Sequence, residues 1–136
     1  MTVGVVVDTS AAVAVILTEP GSDQLIDALE SAGSRIMSAA TRLELGIVVE
    51  SRNGAYGADD VQRFLRDADV GVVEVDEDDA ERALSAWRRY GKGRHPAGLN
   101  SGDYFVYALA ERTGLPVLCV GDDFAATDLD VRRPVL

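Results

Sequence analysis

The sequence contains one cysteine, Cys119, so no disulfide can form within the chain. That cysteine lies in the apolar run Val117-Leu118-Cys119-Val120 and reads as core rather than as a reactive thiol. Long hydrophobic runs are also missing. The longest, Ala11 to Leu17, falls far short of the ~20 residues a membrane span requires, and no basic stretch precedes it as in a signal peptide. There is no repeat, linker or low-complexity tract. Cations are scarce: 13 Lys and Arg stand against 23 Asp and Glu, for a formal charge of −10, and Lys92 is the only lysine. A field of that sign does not attract nucleic acid, so any such contact needs a local basic patch. These absences lead to the expectation of a soluble, cytoplasmic protein with no membrane association.

What is present is an alternation of strand-like and helix-like segments over 136 residues, a length suited to a single domain spanning 1–136. Val3 to Asp8, Arg35 to Met37, Val70 to Val75 and Pro116 to Val120 read as strands, with Val131 to Leu136 as a possible edge strand. Helices are expected from Ser10 to Leu17, Asp23 to Ala32, Ser38 to Arg52, Ala58 to Ala68, Asp76 to Tyr90 and, capped by Ser101, on to Thr113. The pattern predicts an α/β fold with a mostly parallel central sheet of four to five strands and helices on both faces, a three-layer α/β/α domain. The acidic run Asp76 to Asp79 reads as helix-start chemistry, where negative charge favours the helix dipole.

The chain is organised around Val5-Val6-Val7-Asp8-Thr9-Ser10. Three β-branched residues form a strand buried on both faces, and the strand ends on a carboxylate. In open α/β sheets, sites form beyond the carboxyl ends of the strands. Asp8 is also well suited simply to cap the following helix. Glu44 lies on an almost wholly apolar helix, where a carboxylate is costly unless paired or bound to metal; Arg42 or Arg35 would be the ordinary partner. Asp103 sits in the first turn of the last helix, where the dipole favours it. Asp122 and Asp123 directly follow a strand, where a turn also accounts for them. If these acids meet in one cleft, their repulsion needs cations to offset it, and hard oxygen donors suit Mg²⁺ or Mn²⁺. Metal-assisted phosphodiester hydrolysis is the chemistry such a cluster serves.

The segments Val6 to Ala11, Leu43-Glu44, Gly91-Lys92-Gly93-Arg94-His95, Leu99 to Asp103 and Gly121-Asp122-Asp123-Phe124 together resemble a PIN-domain ribonuclease, and most closely the VapC-type toxins of type II toxin–antitoxin pairs. The resemblance covers nearly the whole chain. It implies a PIN-like three-layer fold, a Mg²⁺- or Mn²⁺-dependent endoribonuclease acting on structured RNA such as tRNA or rRNA, a homodimer, and inhibition by a small cognate antitoxin. It implies Asp8, Glu44 and Asp103 as the first three acidic residues. The fourth is Asp122 by counting from the strand and Asp123 by aligning on Phe124. The hydroxyl near the metal falls on Thr9 or, preferably, Ser10.

The local basic patch is Arg88, Arg89, Lys92, Arg94 and His95, with Tyr90 interleaved, and it leads into Asp103. It is expected to contact the RNA backbone, His95 included. An apolar groove along the first two helices (Val13, Ile16, Leu17, Leu25) suits an antitoxin helix. Two other classes remain open: a phospho-accepting receiver-like domain, which would want a lysine beside the acidic site, and a non-catalytic dimeric binding module whose carboxylates are only caps.

Overall fold

The computed structural model describes residues 3–136. Five strands, β1 (Val5–Val7), β2 (Arg35–Ser38), β3 (Val70–Val73), β4 (Val117–Leu118) and β5 (Val131–Arg132), form one sheet in the order β3-β2-β1-β4-β5. Every pairing is parallel. Six helices complete the described residues: α1 (Thr9–Ile16), α2 (Ser22–Ser31), α3 (Ala39–Asn53), α4 (Tyr56–Asp67), α5 (Glu77–Tyr90) and α6 (Ser101–Thr113).

Alternation along β1 shows why three valines in a row suit the centre of this sheet. Val5 and Val7 point into a core shared with α1 to α4, including Leu25, Leu45, Val49 and Phe64. Val6 points the other way, into a core built with α5 and α6 around Ala86, Leu99, Val106 and Tyr107. Each face carries a helical layer, as a two-sided apolar sheet requires.

Strand order fixes where a site can form. The chain steps from β1 outward to β2 and β3, then returns past β1 to β4 and β5. The connections after β1 and β4 therefore part in opposite directions and leave a crevice at their carboxyl ends. Asp8 follows β1, and Asp122 and Asp123 follow β4 shortly after its last paired residue.

The helices start and stop for identifiable reasons. Asp8 caps α1, accepting from the Ser10 backbone N–H at 3.1 Å. The acidic run before α5 is a capping box, in which Asp76 and Asp79 accept reciprocally from each other's backbone N–H. Buried Asp79 also binds the Arg112 guanidinium at 2.8 Å, tying the start of α5 to the end of α6. The cap of α6 is Asn100 rather than Ser101: its side-chain oxygen accepts from the N–H groups of Gly102 and Asp103. Spacing decides this, because only Asn100 stands three residues before Asp103 and can trade hydrogen bonds with it.

Three strands are shorter than the sequence pattern indicates: β3 stops at Val73, β4 covers only Val117–Leu118, and β5 ends at Arg132. The last residues strap back onto α2, where the Gln24 side chain exchanges two hydrogen bonds with the Val135 backbone.

Candidate active site

Asp8, Glu44, Asp103 and Asp123 come to the β1/β4 crevice from four different elements. Asp8, Glu44 and Asp103 are each held by a specific neighbour. Asp8 accepts through Oδ2 from the Ser10 hydroxyl at 2.5 Å, and the same hydroxyl accepts from the Val120 N–H at 2.9 Å. Ser10 thus links the end of β1 to the end of β4. The Thr9 hydroxyl donates to Glu44 Oε1, joining α1 to α3. Asp103 accepts through Oδ2 from the Asn100 N–H at 3.0 Å. Each of these three carboxylates ties one oxygen to the protein. Asp8 Oδ1, Glu44 Oε2 and Asp103 Oδ1 accept no hydrogen bond among the described residues. Capping and site chemistry are therefore not alternatives for Asp8 and Asp103: one oxygen caps, and the other is spare.

The electrostatics follow from burial and crowding. Asp8 and Asp103 are 8% and 6% exposed. Burial first, and then the charges of Asp8, Asp123 and Glu44, push the Asp103 carboxyl up to about 7, against the Asn100 hydrogen bond. Burial also raises Asp8 above the ordinary carboxylate range; its bonds from Ser10 oppose the shift, and the Glu44 charge adds to it. Behind them Cys119 is pushed up to about 12, by burial first and then by Asp8, so it is an inert core thiol.

The expectation that these groups meet at coordination distance is not realised. No three His, Cys, Asp or Glu side chains among the described residues are gathered closely enough to hold a metal ion as they stand. The donor set nonetheless fits a hard divalent cation: all oxygen, with neither thiolate nor imidazole, and with spare carboxylate oxygens on three elements.

Asp122 does not join the group. Its exposed side chain turns outward to pair with Arg133, which also donates to the Gly121 carbonyl at 3.2 Å. Of the two, Asp123, also exposed, is the one whose charge raises the pKa of both Asp103 and Cys119. Two neighbouring aspartates after one strand look alike in sequence. What separates them is an arginine brought alongside by the parallel return into β5.

The expected arginine partners of Glu44 are also absent. Arg35 is spent on the carbonyls of Leu29 and Ala32 and on Asp69, and Arg42 makes no ion pair among the described residues. Thr9 takes that place.

The basic segment divides in two. Arg88, Lys92 and Arg94 are exposed at the end of α5 and on the loop that precedes α6. Arg94 lies over the Trp87 ring at 4.5 Å, so Trp87, 39% exposed, belongs to this surface, although no motif in the chain singles it out. Arg89 and His95 have structural employment instead. Arg89 donates to the hydroxyls of Tyr107 and Tyr90 at 3.0 Å each and reaches Asp128. His95 accepts from the Ala97 N–H through Nδ1 and packs edge-on against Tyr90. The only lysine, Lys92, is on this loop, which leaves the receiver-like reading without its lysine beside the acids.

A second concavity, of about 630 Å³, lies among α1, α2 and α4, with Val15, Ile16, Ile26, Leu29 and Phe64 in its lining and Asp60, Asp67 and Asp69 among its acids. Val13 and Leu25, expected along this groove, are core residues facing inward.

The PIN domain family profile matches residues 5–129. A Ribonuclease VapC of Mycolicibacterium smegmatis is 48% identical over 124 residues, covering 91% of this chain and 96% of its own. Ribonuclease VapC30 of Mycobacterium tuberculosis is 45% identical over 124 residues, covering 91% and 95%. Among solved structures, Mycobacterium tuberculosis VapC20, a sarcin-ricin loop cleaving toxin, superposes with a TM-score of 0.76 at 19% identity, over 92% of this chain and 95% of that one. VapBC2 from Rickettsia felis, bound to a DNA fragment from its promoter, matches with a TM-score of 0.77 at 10% identity, over 97% and 99%. At those identities the structures speak for the fold. The chain belongs to the PIN-domain family, among the VapC ribonucleases.

Proposed function

We propose that this protein is the endoribonuclease toxin of a type II toxin–antitoxin pair. It cuts phosphodiester bonds in structured RNA such as tRNA or rRNA with the help of Mg²⁺ or Mn²⁺, and acts in the cytoplasm as a homodimer. The observation that carries this reading is the convergence of acids from separate elements on the β1/β4 crevice, where buried Asp8 is raised by the Glu44 charge and buried Asp103 by those of Asp8, Asp123 and Glu44. Two buried carboxylates with like charges beside them mark a place built for a counter-charge.

The ion would be held by the spare oxygens of Asp8, Glu44 and Asp103, with Asp123 completing the set. When bound, it supplies a Lewis acid that offsets charge developing on the phosphodiester and acidifies water. The chain's own residues do the positioning. Ser10 fixes the Asp8 carboxylate, Thr9 that of Glu44, and the Asn100 backbone that of Asp103. Near neutrality, Asp103 holds a proton on its carboxyl part of the time, and this proton must leave before all four acids act as donors. Arg88, Lys92 and Arg94, exposed on the segment that runs into α6 and Asp103, are suited to the RNA backbone.

The antitoxin has a suitable seat in the groove among α1, α2 and α4, whose apolar floor suits the apolar face of an amphipathic helix and whose charged lining, Glu30, Asp60, Asp67 and Asp69 against Arg35 and Arg63, is net negative toward basic flanks. A test is cleavage of a structured RNA by purified protein in Mn²⁺ and in EDTA, with fragments sequenced beside an Asp8→Asn control. Cleavage only in Mn²⁺, absent in the control and abolished by the cognate antitoxin, is expected. Equal cleavage in EDTA would overturn the metal reading.

A further inference from the structure

Gly102 stands in the first turn of α6, one residue before Asp103. Glycine lowers helix stability relative to alanine, so it needs a reason to be there. The backbone supplies none, because Gly102 is not among the positive-φ glycines of the chain. Packing of main chain on main chain supplies none either. The three atoms nearest an added Cβ all belong to the tip of Glu44: it would lie 3.0 Å from Cδ, 3.1 Å from Oε1 and closer still to Oε2. The contrast with Gly57 is instructive, since a Cβ there would strike the Glu50 and Val49 backbone.

From this we infer that Gly102 is a positioning residue: its missing side chain is the seat on which the Glu44 carboxylate rests beside Asp103, with the Thr9 hydroxyl closing the seat from the α1 side. Three elements would then fix one carboxylate: α3 carries it, α1 holds Oε1, and the bare first turn of α6 admits both oxygens. The role goes beyond counting acids, because it explains how a flexible glutamate from a distant helix reaches the aspartate cluster in a defined pose. The atoms nearest an alanine Cβ at 102 belong to the end of a flexible side chain and not to backbone, so the fold survives and Glu44 is displaced.

The inference rests on the metal-site reading for its consequence but not for its geometry, and two measurements keep these apart. The first is a denaturant-unfolding cycle in EDTA combining Gly102→Ala with Glu44→Ala. Alanine at 102 is expected to raise the unfolding midpoint more in the Glu44→Ala background, where nothing occupies the seat, than in the wild type, where it expels the carboxylate. An equal effect in both backgrounds overturns the inference, whatever the metal does. The second is Mn²⁺ affinity by calorimetry. Gly102→Ala is expected to weaken binding at least tenfold in the wild-type background and to add nothing to Glu44→Ala. Undiminished Mn²⁺ affinity in Gly102→Ala would also overturn it. If the wild type takes up no Mn²⁺, the functional reading fails while the unfolding cycle still decides the role of Gly102.

Discussion

The Ser10 hydroxyl lies 2.5 Å from Asp8 Oδ2 and 2.9 Å from the backbone nitrogen of Val120, donating to the first and accepting from the second. One small side chain thus binds the two strand ends that flank the crevice. Ser10→Ala leaves the Val120 N–H without its partner, at a cost of roughly 1–2 kcal/mol in stability, and leaves the Asp8 carboxylate held only by the Ser10 backbone N–H. Urea unfolding should show that loss, and RNA cleavage should fall about tenfold with Ser10→Ala and much less with Ser10→Thr. Unchanged stability and cleavage in Ser10→Ala would remove Ser10 from the account.

Asp122 and Asp123 offer a sharper contrast. Asp122 pairs with Arg133 in solvent, and Asp123 raises the pKa of Asp103. Asp123→Asn should reduce cleavage by about two orders of magnitude, in the range expected for loss of one charged group from a catalytic site. Asp122→Asn should leave it within about threefold, since exposed ion pairs contribute little. The reverse ranking in a cleavage assay would mean that Asp122 is the fourth acid after all.

The pH dependence of stability follows from Asp103. Its carboxyl titrates at about 7 in the fold, against 3.8 ordinarily. Below the ordinary value both states are protonated and nothing is lost. Between the two values only the unfolded chain ionises, so the fold loses stability as pH rises, and above about 7 the loss is complete. At about 1.4 kcal/mol per pH unit, the interval from pH 5.5 to 7 accounts for roughly 2 kcal/mol. Asp103→Asn should remove this slope, so in EDTA it gains on the wild type between pH 5.5 and pH 8.5 in urea midpoints. Parallel pH profiles for the two proteins would contradict the burial argument.

The basic segment separates by function. Charge reversal of Arg88, Lys92 and Arg94 together should weaken RNA binding, measured in an Asp8→Asn background, and lower the slope of log affinity against log salt by about 2. Arg89→Met should leave that slope nearly unchanged. It should instead cost roughly 1–2 kcal/mol by stranding the Tyr107, Tyr90 and Asp128 cluster. A salt slope that falls equally for Arg89→Met would return Arg89 to the RNA surface.

What could be read in the sequence was whatever depends on local pattern. The valine triplet ending in Asp8, the helix periodicities and the strand-helix alternation suffice for a parallel sheet with helices on both faces, because burial imposes a period on each element. Family motifs located Asp8, Glu44 and Asp103. Long-range partnership was not legible. Glu44 finds Thr9 rather than Arg42 or Arg35, and Arg89 turns to tyrosines that lie near and far in the chain. Asp122 is drawn off by an arginine eleven residues on. Gly102 could be seen only as part of a motif, since its reason lies in a side chain from another helix. Chain order carries no trace of such pairings until the sheet brings the elements together.

The central claim is that the β1/β4 crevice takes a divalent cation through acids from separate elements, and Mn²⁺ titration of the purified protein tests it most directly. The account predicts saturable binding to the wild type, loss of that binding in Asp8→Asn and in Asp103→Asn, and unchanged far-ultraviolet circular dichroism in both variants. Mn²⁺ binding of equal strength in the wild type and in both folded variants, or none in any of them, would contradict it.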